Sequence, residues 1–215
     1  MTTHSVSSRY VDNERLIALN ASHAAFRRDL AKMARVATVA NFRDPAHRRS
    51  ILNGWAVFKN QLEQHHSHED RFLWPSLRRN MAGSDAAMSV LDDMDAEHAI
   101  IDPLLRSVDY AFDHHDTADL PGVLDELNTK VSHHLTHEEQ DAIPMIVEAI
   151  PEKEWKKIVS GITRASMSGA PEFMPWVTEG ATDGEVKRVL SMLPPPARLI
   201  YRRVWVPRYR KVSRW

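Results

Sequence analysis

The sequence predicts an all-α protein: an up-down four-helix bundle over residues 12–150, carrying a C-terminal helical appendage over residues 151–215. Three observations predict it. Apolar residues recur at three- and four-residue intervals along four long stretches. Alternating strand patterns are missing, and the connections between stretches are short, as neighbouring antiparallel helices require. With 215 residues, 43% of them hydrophobic, and a net charge of -1, the chain is long enough for one core plus an appendage and is not compositionally disordered.

The first helix, over 13–39, sets Leu16, Leu19, His23, Phe26, Leu30 and Met33 on one stripe. Asp44-Pro45 reads as an N-cap followed by proline at the first helical position, opening a second helix over 45–80. Its inward stripe is Trp55, Phe58, Leu62, His65, Glu69 and Phe72. Gly83-Ser84 ends that helix and caps the third, which runs to about 115 with Met88, Leu91, Asp95, His98, Ile101 and Leu105 inward. The fourth starts near Pro121 and carries Leu127, Val131, His134 and Glu138. Beyond Pro151 a fifth helix is expected over 155–165, then a linker at 168–171. Thr182-x-x-Glu185 is a capping box for a short helix to Met192, which the prolines at 194–196 end; the last segment is expected to be helical up to Pro207.

Two of these helices carry one repeated motif. His65-His66-Ser67-His68-Glu69-Asp70 precedes Trp74-Pro75, and His134-Leu135-Thr136-His137-Glu138-Glu139 precedes Ile143-Pro144. At a constant offset of 69 residues, His65, His68, Glu69 and Pro75 fall on identical residues, while Phe58, Leu62 and Leu73 fall on Leu127, Val131 and Ala142. This is an internal repeat. Residues four apart on a helix share a face, so each His-x-x-x-Glu can point an imidazole and a carboxylate at one metal cluster. His23 precedes His65 by 42 residues and His98 precedes His134 by 36, so each half of the bundle pairs a lone inward histidine with a ligand helix.

Six metal ligands are thereby expected: His23, His65, Glu69, His98, His134 and Glu138. Buried carboxylates need strong compensation, and a metal pair supplies it. If both glutamates bridge, four imidazoles and four carboxylate oxygens give about four donors per metal against the roughly six of an octahedral site, which leaves positions open for dioxygen, peroxide or a substrate atom. Imidazole plus carboxylate in a bundle core favours iron, with manganese or zinc also compatible.

The arrangement His23, His65-x-x-x-Glu69, His98, His134-x-x-x-Glu138 resembles the hemerythrin-like, or HHE cation-binding, domain over roughly residues 12–150. The resemblance implies a four-helix bundle with two iron ions joined by an oxo or hydroxo bridge. Oxygen-carrying members have His-x-x-x-His on the third helix and, on the fourth, a His followed five residues on by Asp. Here Asp102 stands four residues after His98, and Glu138 four after His134. Losing the fifth histidine opens a coordination site, which argues against reversible oxygen carriage and for redox turnover. Asp102 is then expected to ligate weakly or to accept a hydrogen bond from a ligand imidazole.

Other residues have a blander reading beside the functional one. His68 and His137, three residues after the ligand histidines, are second-shell or relay candidates on what reads as a partly exposed face. Trp55 and Phe26 are placed to wall a gas or substrate pocket or simply to pack the core, and Gln61, Asp95 and Lys130 are further second-shell candidates. His66, His133, His114 and His115 are expected to be solvated, and His4 and His47 carry no signal.

Composition limits the rest. No cysteine is present, so metal must be held by nitrogen and oxygen, and a reducing cytoplasmic setting is expected. The polar N-terminus lacks a signal core and no stretch reaches the roughly 20 apolar residues of a membrane span. Residues 193–215 hold seven basic residues and no acid, a surface suited to an acidic partner or to the chain's own acidic body. No base-reading motif accompanies it, so nucleic acid is not expected. The function expected is a non-haem di-iron oxidoreductase using dioxygen or peroxide on a small molecule; the alternative is a non-catalytic oxygen- or iron-binding or sensing module.

Overall fold

A computed structural model describes residues 13–36, 44–114 and 120–215, so His4, His115 and the end of the expected first helix lie outside the described residues. Among the described residues the chain is helical almost throughout and has no strand. The Asn13 side chain accepts from Arg15 N–H and opens a 3₁₀ turn, Glu14–Leu16, which leads into α1 (Ile17–Val36). The carboxylate of Asp44 accepts the N–H groups of Ala46 and His47 at 2.8 and 3.1 Å, starting α2 (Pro45–His68) as the sequence predicts. Ser84 caps α4 (Asp85–Asp113) through Ala87 N–H, and α5 (Leu120–His137) follows.

Both ligand helices change pitch at the glutamate of their motif. Glu69–Leu73 and Glu138–Ala142 are π-helical turns, continued by the short helices α3 (Trp74–Asn80) and α6 (Ile143–Ala149). Each turn precedes a proline that stands six residues after the glutamate. Proline has no N–H and its ring crowds the carbonyl four residues back, so a straight α-helix would clash there. In the wider turn Trp74 N–H bonds to the carbonyl of Glu69, and Ile143 N–H to that of Glu138, before the proline is reached. Such turns are rare and concentrate at functional sites.

The extra residue in the turn moves the inward stripe. Phe72, expected to face inward, is only half-buried, whereas Leu73, Trp74 and Leu77 are buried. Asp95 also departs from expectation: it is exposed and pairs with Arg78 at 2.7 Å, while Met94 takes the buried position beside it.

After α6 come α7 (Glu152–Ser166), a 3₁₀ turn at Met167–Gly169 and α8 (Ala170–Thr178). The expected linker at 168–171 is therefore mostly helical, because Pro171 falls in a first turn, where a missing N–H costs nothing. The capping box is present: Thr182 and Glu185 bond reciprocally and open α9 (Asp183–Ser191). The prolines that end α9 also begin α10 (Pro195–Ile200). A third π turn, Tyr201–Trp205, precedes Pro207 in α11 (Val206–Arg210), so the chain stays helical past that proline.

The chain packs as two compact units, one built from residues 60–166 and one in which the described residues up to 59 pack with residues 167–215. In the first, α4 lies along α5, and α3 packs on α4 and α6. There α7 packs on the π turn at Glu69–Leu73, where Gly161 leaves room for Phe72: a Cβ at 161 would sit 2.8 Å from that ring. In the second unit, α8 and α9 pack on α1. Phe26 meets Phe58 edge-on and Trp176 at a tilt, with centroids 5.9 and 5.0 Å away, and Trp55 stacks on Phe58.

Candidate metal centre

Two groups of buried donors lie in the first unit. His66 on α2, His98 on α4 and His134 on α5 each bring a ring nitrogen within 4.8 Å of the others. His65, Glu69 and Glu138 likewise bring one donor atom each within that distance. All six side chains are at least nine-tenths removed from solvent.

Glu69 stands between the groups. Its Oε1 lies 3.0 Å from Nε2 of His65 and its Oε2 lies 3.4 Å from Nε2 of His98, while His65 Nε2 is 3.9 Å from Glu138. These approaches lack hydrogen-bond alignment. Neither oxygen of Glu69, neither ring nitrogen of His66, and neither Nε2 of His98 and His134 makes a hydrogen bond. Buried polar atoms in native proteins nearly always have a partner, so a concentration of orphans in one place points to a group that satisfies them together.

The electrostatics point the same way. Burial works against a charged ring at His65, yet the carboxylates of Glu69 and Glu138 outweigh it and push its pKa up to about 10. At His98 burial is likewise outweighed, by Asp70 and Glu69, and the value rises to about 9. Burial and the Glu138 charge press the Glu69 carboxyl upward, but His65 and His98 hold it below the ordinary range. The buried carboxylates thus favour positive charge beside them.

An outer layer of carboxylates orients the rings. Asp70 lies 2.9 Å from Nδ1 of His98, and the two oxygens of Glu97 lie 2.8 Å from Nδ1 of His134 and Nδ1 of His137. With Nδ1 held by a carboxylate, Nε2 is the nitrogen that faces inward, the one a metal-ligating histidine would use. The nitrogen and oxygen donors, the orphaned atoms and the carboxylate-held rings together fit a bound cation.

A family model, the hemerythrin HHE cation binding domain, matches residues 16–146. The chain belongs to the hemerythrin family. No curated protein and no solved structure matches it. As a hemerythrin-family chain it is an all-α, metal-binding protein whose site is a cluster of histidine and glutamate. No helix among the described residues is long and apolar enough to cross a membrane.

Within this hemerythrin-like cluster the structure brings together His65, Glu69, His98, His134 and Glu138, all expected as ligands. His23 is buried on α1, in the second unit. Of the others, His137 shares Glu97 with His134. His68 is half-buried and lies 3.0 Å from the Ser166 hydroxyl. Trp55 packs in the second unit, Gln61 is buried and Lys130 exposed. Asp102 is exposed and lies at the rim of a cleft of about 440 Å³ lined also by Glu63, His66, Ser67, Asp70, Arg71 and Arg106.

His66 is the correction. Expected to be solvated, it is 4% exposed and stacks on His98 with ring centroids 3.9 Å apart. Burial, and next the neighbouring His98 and His134, hold its pKa well below the usual histidine range, so it is a neutral imidazole. The signal was in the sequence: Phe58, Leu62, His66 and Glu69 are spaced four, four and three residues apart, a helical stripe of its own. Asp70 and Glu97 were also missed as partners of His98 and His134. Each is the chain neighbour of a ligand-type residue, a pattern too common among 29 acidic residues to single out.

Proposed function

We propose that the protein is a non-haem di-iron oxidoreductase that reacts with dioxygen or peroxide, on a small molecule or by decomposing the peroxide itself, in the cytoplasm. The two irons, joined by an oxo or hydroxo bridge, would be held by His23, His65, His98 and His134, with Glu69 and Glu138 bridging. The observation that carries this reading is the double address of Glu69, with one oxygen toward His65 and the other toward His98. A carboxylate so placed can share its charge between two cations. His23 enters on sequence grounds: it opens the half-repeat that His65 completes, and the family match spans it.

When bound, such an iron pair supplies the electron transfers that side chains cannot perform. The protein's own part is positional. Asp70 and Glu97 fix the faces of His98 and His134, the apolar residues Leu62, Leu127 and Val131 keep bulk water from the cluster, and the cleft at His66 and Asp70 gives a small molecule its approach. A non-catalytic oxygen- or iron-binding role draws its support from the three-histidine group, since a further imidazole closes a position that redox turnover would use.

The test is an optical trace of anaerobically reconstituted di-ferrous protein, mixed with oxygen and then swept with argon. A di-ferric spectrum that persists through the sweep supports turnover. A band that the sweep reverses would overturn it in favour of binding or sensing, and the reconstituted iron content decides between iron and a manganese or zinc site.

A further inference from the structure

We infer that His66 is itself a metal ligand, completing a three-imidazole position with His98 and His134, so that the two metal positions are chemically unlike. The inference rests on the di-metal reading above and deepens it. The sequence motif assigns His65 and Glu69 to the metal and leaves His66, one residue on, without a role.

A buried histidine packed only for bulk keeps at least one ring nitrogen hydrogen-bonded, because an imidazole N–H buried without a partner costs a substantial fraction of a domain's stability. His66 makes no hydrogen bond through either nitrogen. Its ring lies parallel to His98, 13° between planes, and edge-on to His134 at 5.2 Å, while His98 and His134 are themselves 4.8 Å apart. Three rings from three helices thus converge with Nδ1 of two of them already held by Asp70 and Glu97. A cation accepting the remaining nitrogens would satisfy three orphaned atoms at once.

Adjacent residues on a helix point about 100° apart, which is why one stripe does not normally hold both. Here that divergence is what is needed: His65 turns toward Glu69 and Glu138, and His66 toward His98 and His134. The third imidazole thereby comes from the second helix, in place of the position four residues after His98, where Asp102 is exposed. His66 also lines the cleft of about 440 Å³, together with Asp70 and Asp102.

The experiment is a cobalt(II) titration of the full chain, read by bound metal per chain and by the hyperfine-shifted, exchangeable imidazole N–H protons. In the unaltered chain one of those protons, assigned residue by residue, is expected to belong to His66, and its absence among assigned protons of His98 and His134 overturns the inference while leaving the di-metal reading standing. Fewer than two bound ions per chain in that same sample would instead sink the di-metal reading. His66→Ala is expected to keep one tight ion and to weaken the second by more than about 100-fold, the upper end of what a lost outer partner costs. Millimolar imidazole should restore the second ion, which a merely structural role would not allow. Two ions of unchanged affinity in His66→Ala would overturn the inference. Should that variant fail to fold, by far-ultraviolet circular dichroism, the presence or absence of the shifted His66 proton in the unaltered chain decides alone.

Discussion

Glu97 Oε2 and Nδ1 of His134 lie 2.8 Å apart, and the other Glu97 oxygen holds Nδ1 of His137 at the same distance. Glu97 is the chain neighbour of His98, so one turn of α4 contributes both a ring of the buried cluster and the carboxylate that orients the ring across from it. Removing that carboxylate frees His134 to rotate and to change tautomer. Glu97→Ala is expected to lower metal affinity by about 10- to 100-fold without unfolding the chain. Competition with a chelator of known affinity measures this; an unchanged affinity would show that Glu97 serves His137 alone.

Glu69 and Glu138 are buried to 1% and 0% exposure and begin their π turns, so each is fixed in backbone and in environment. Glu69→Ala and Glu138→Ala are each expected to lose bound iron, to one ion per chain or fewer. His68→Ala, on a half-buried ring facing Ser166, should keep full occupancy. Iron per chain after reconstitution is the readout. Full occupancy in both glutamate variants means the bridging assignment is wrong, and loss of iron in His68→Ala means the register of α2 has been misread.

The helices and the repeated motif were legible because burial in helices writes a period of three to four residues into the chain, and inward ligands must keep that period. What escaped the sequence has two physical causes. The π turns insert a residue, so the stripe that reaches Glu69 on schedule resumes at Leu73 in place of Phe72. A cluster buried among helices also has more than one face, so His65 and His66 can both point at metal-type partners, which a single-stripe reading forbids. The proline spacing that accompanies the π turns is itself readable: Glu69 and Pro75, Glu138 and Pro144, Tyr201 and Pro207 all lie six apart.

In the second unit a buried charge is held by an aromatic donor. Trp176 Nε1 donates to Oδ2 of Asp29 at 2.8 Å, and Arg28 Nε donates to the other oxygen at the same distance. Asp29 is 2% exposed. Trp176→Phe removes a hydrogen bond to a charged acceptor and is expected to cost about 1.5–3 kcal/mol. Asp29→Asn keeps an oxygen for the indole and should cost less. Urea denaturation compares the two, and equal losses would mean that the charge pair with Arg28, not the indole, holds this joint.

The capping box at the start of α9 makes a second test of stability. The Thr182 hydroxyl accepts Glu185 N–H, and the Thr182 N–H donates to Glu185 at 2.7 Å. Thr182→Ala is expected to cost about 1 kcal/mol, whereas Thr182→Ser should be nearly neutral, because serine caps as well as threonine does. Thermal midpoints of the two variants check this; a serine variant as unstable as the alanine one would show that the methyl group, not the hydroxyl, matters.

Glu179, just past α8, ties three elements of the second unit together. It accepts from Lys32 at 2.9 Å and from the Tyr209 hydroxyl at 3.3 Å, with Arg28 3.9 Å away. Burial presses its carboxyl upward, but Lys32 and Arg28 outweigh this and hold it below its usual 4.5. A carboxyl whose folded value is depressed binds its proton more readily in the unfolded chain. Its stabilisation is therefore complete above the unfolded value and drains away as pH falls through the lower, folded one. The group is more than a third exposed, so solvent screening keeps the effect of Glu179→Gln at neutral pH to about 1 kcal/mol or less. The difference between variant and parent should shrink as pH drops from about 5 to about 3, the span in which an ordinary glutamate takes up its proton. Urea midpoints at neutral and acid pH measure it, and a difference that stays constant with pH would mean that Glu179 acts through its packing and not through its charge.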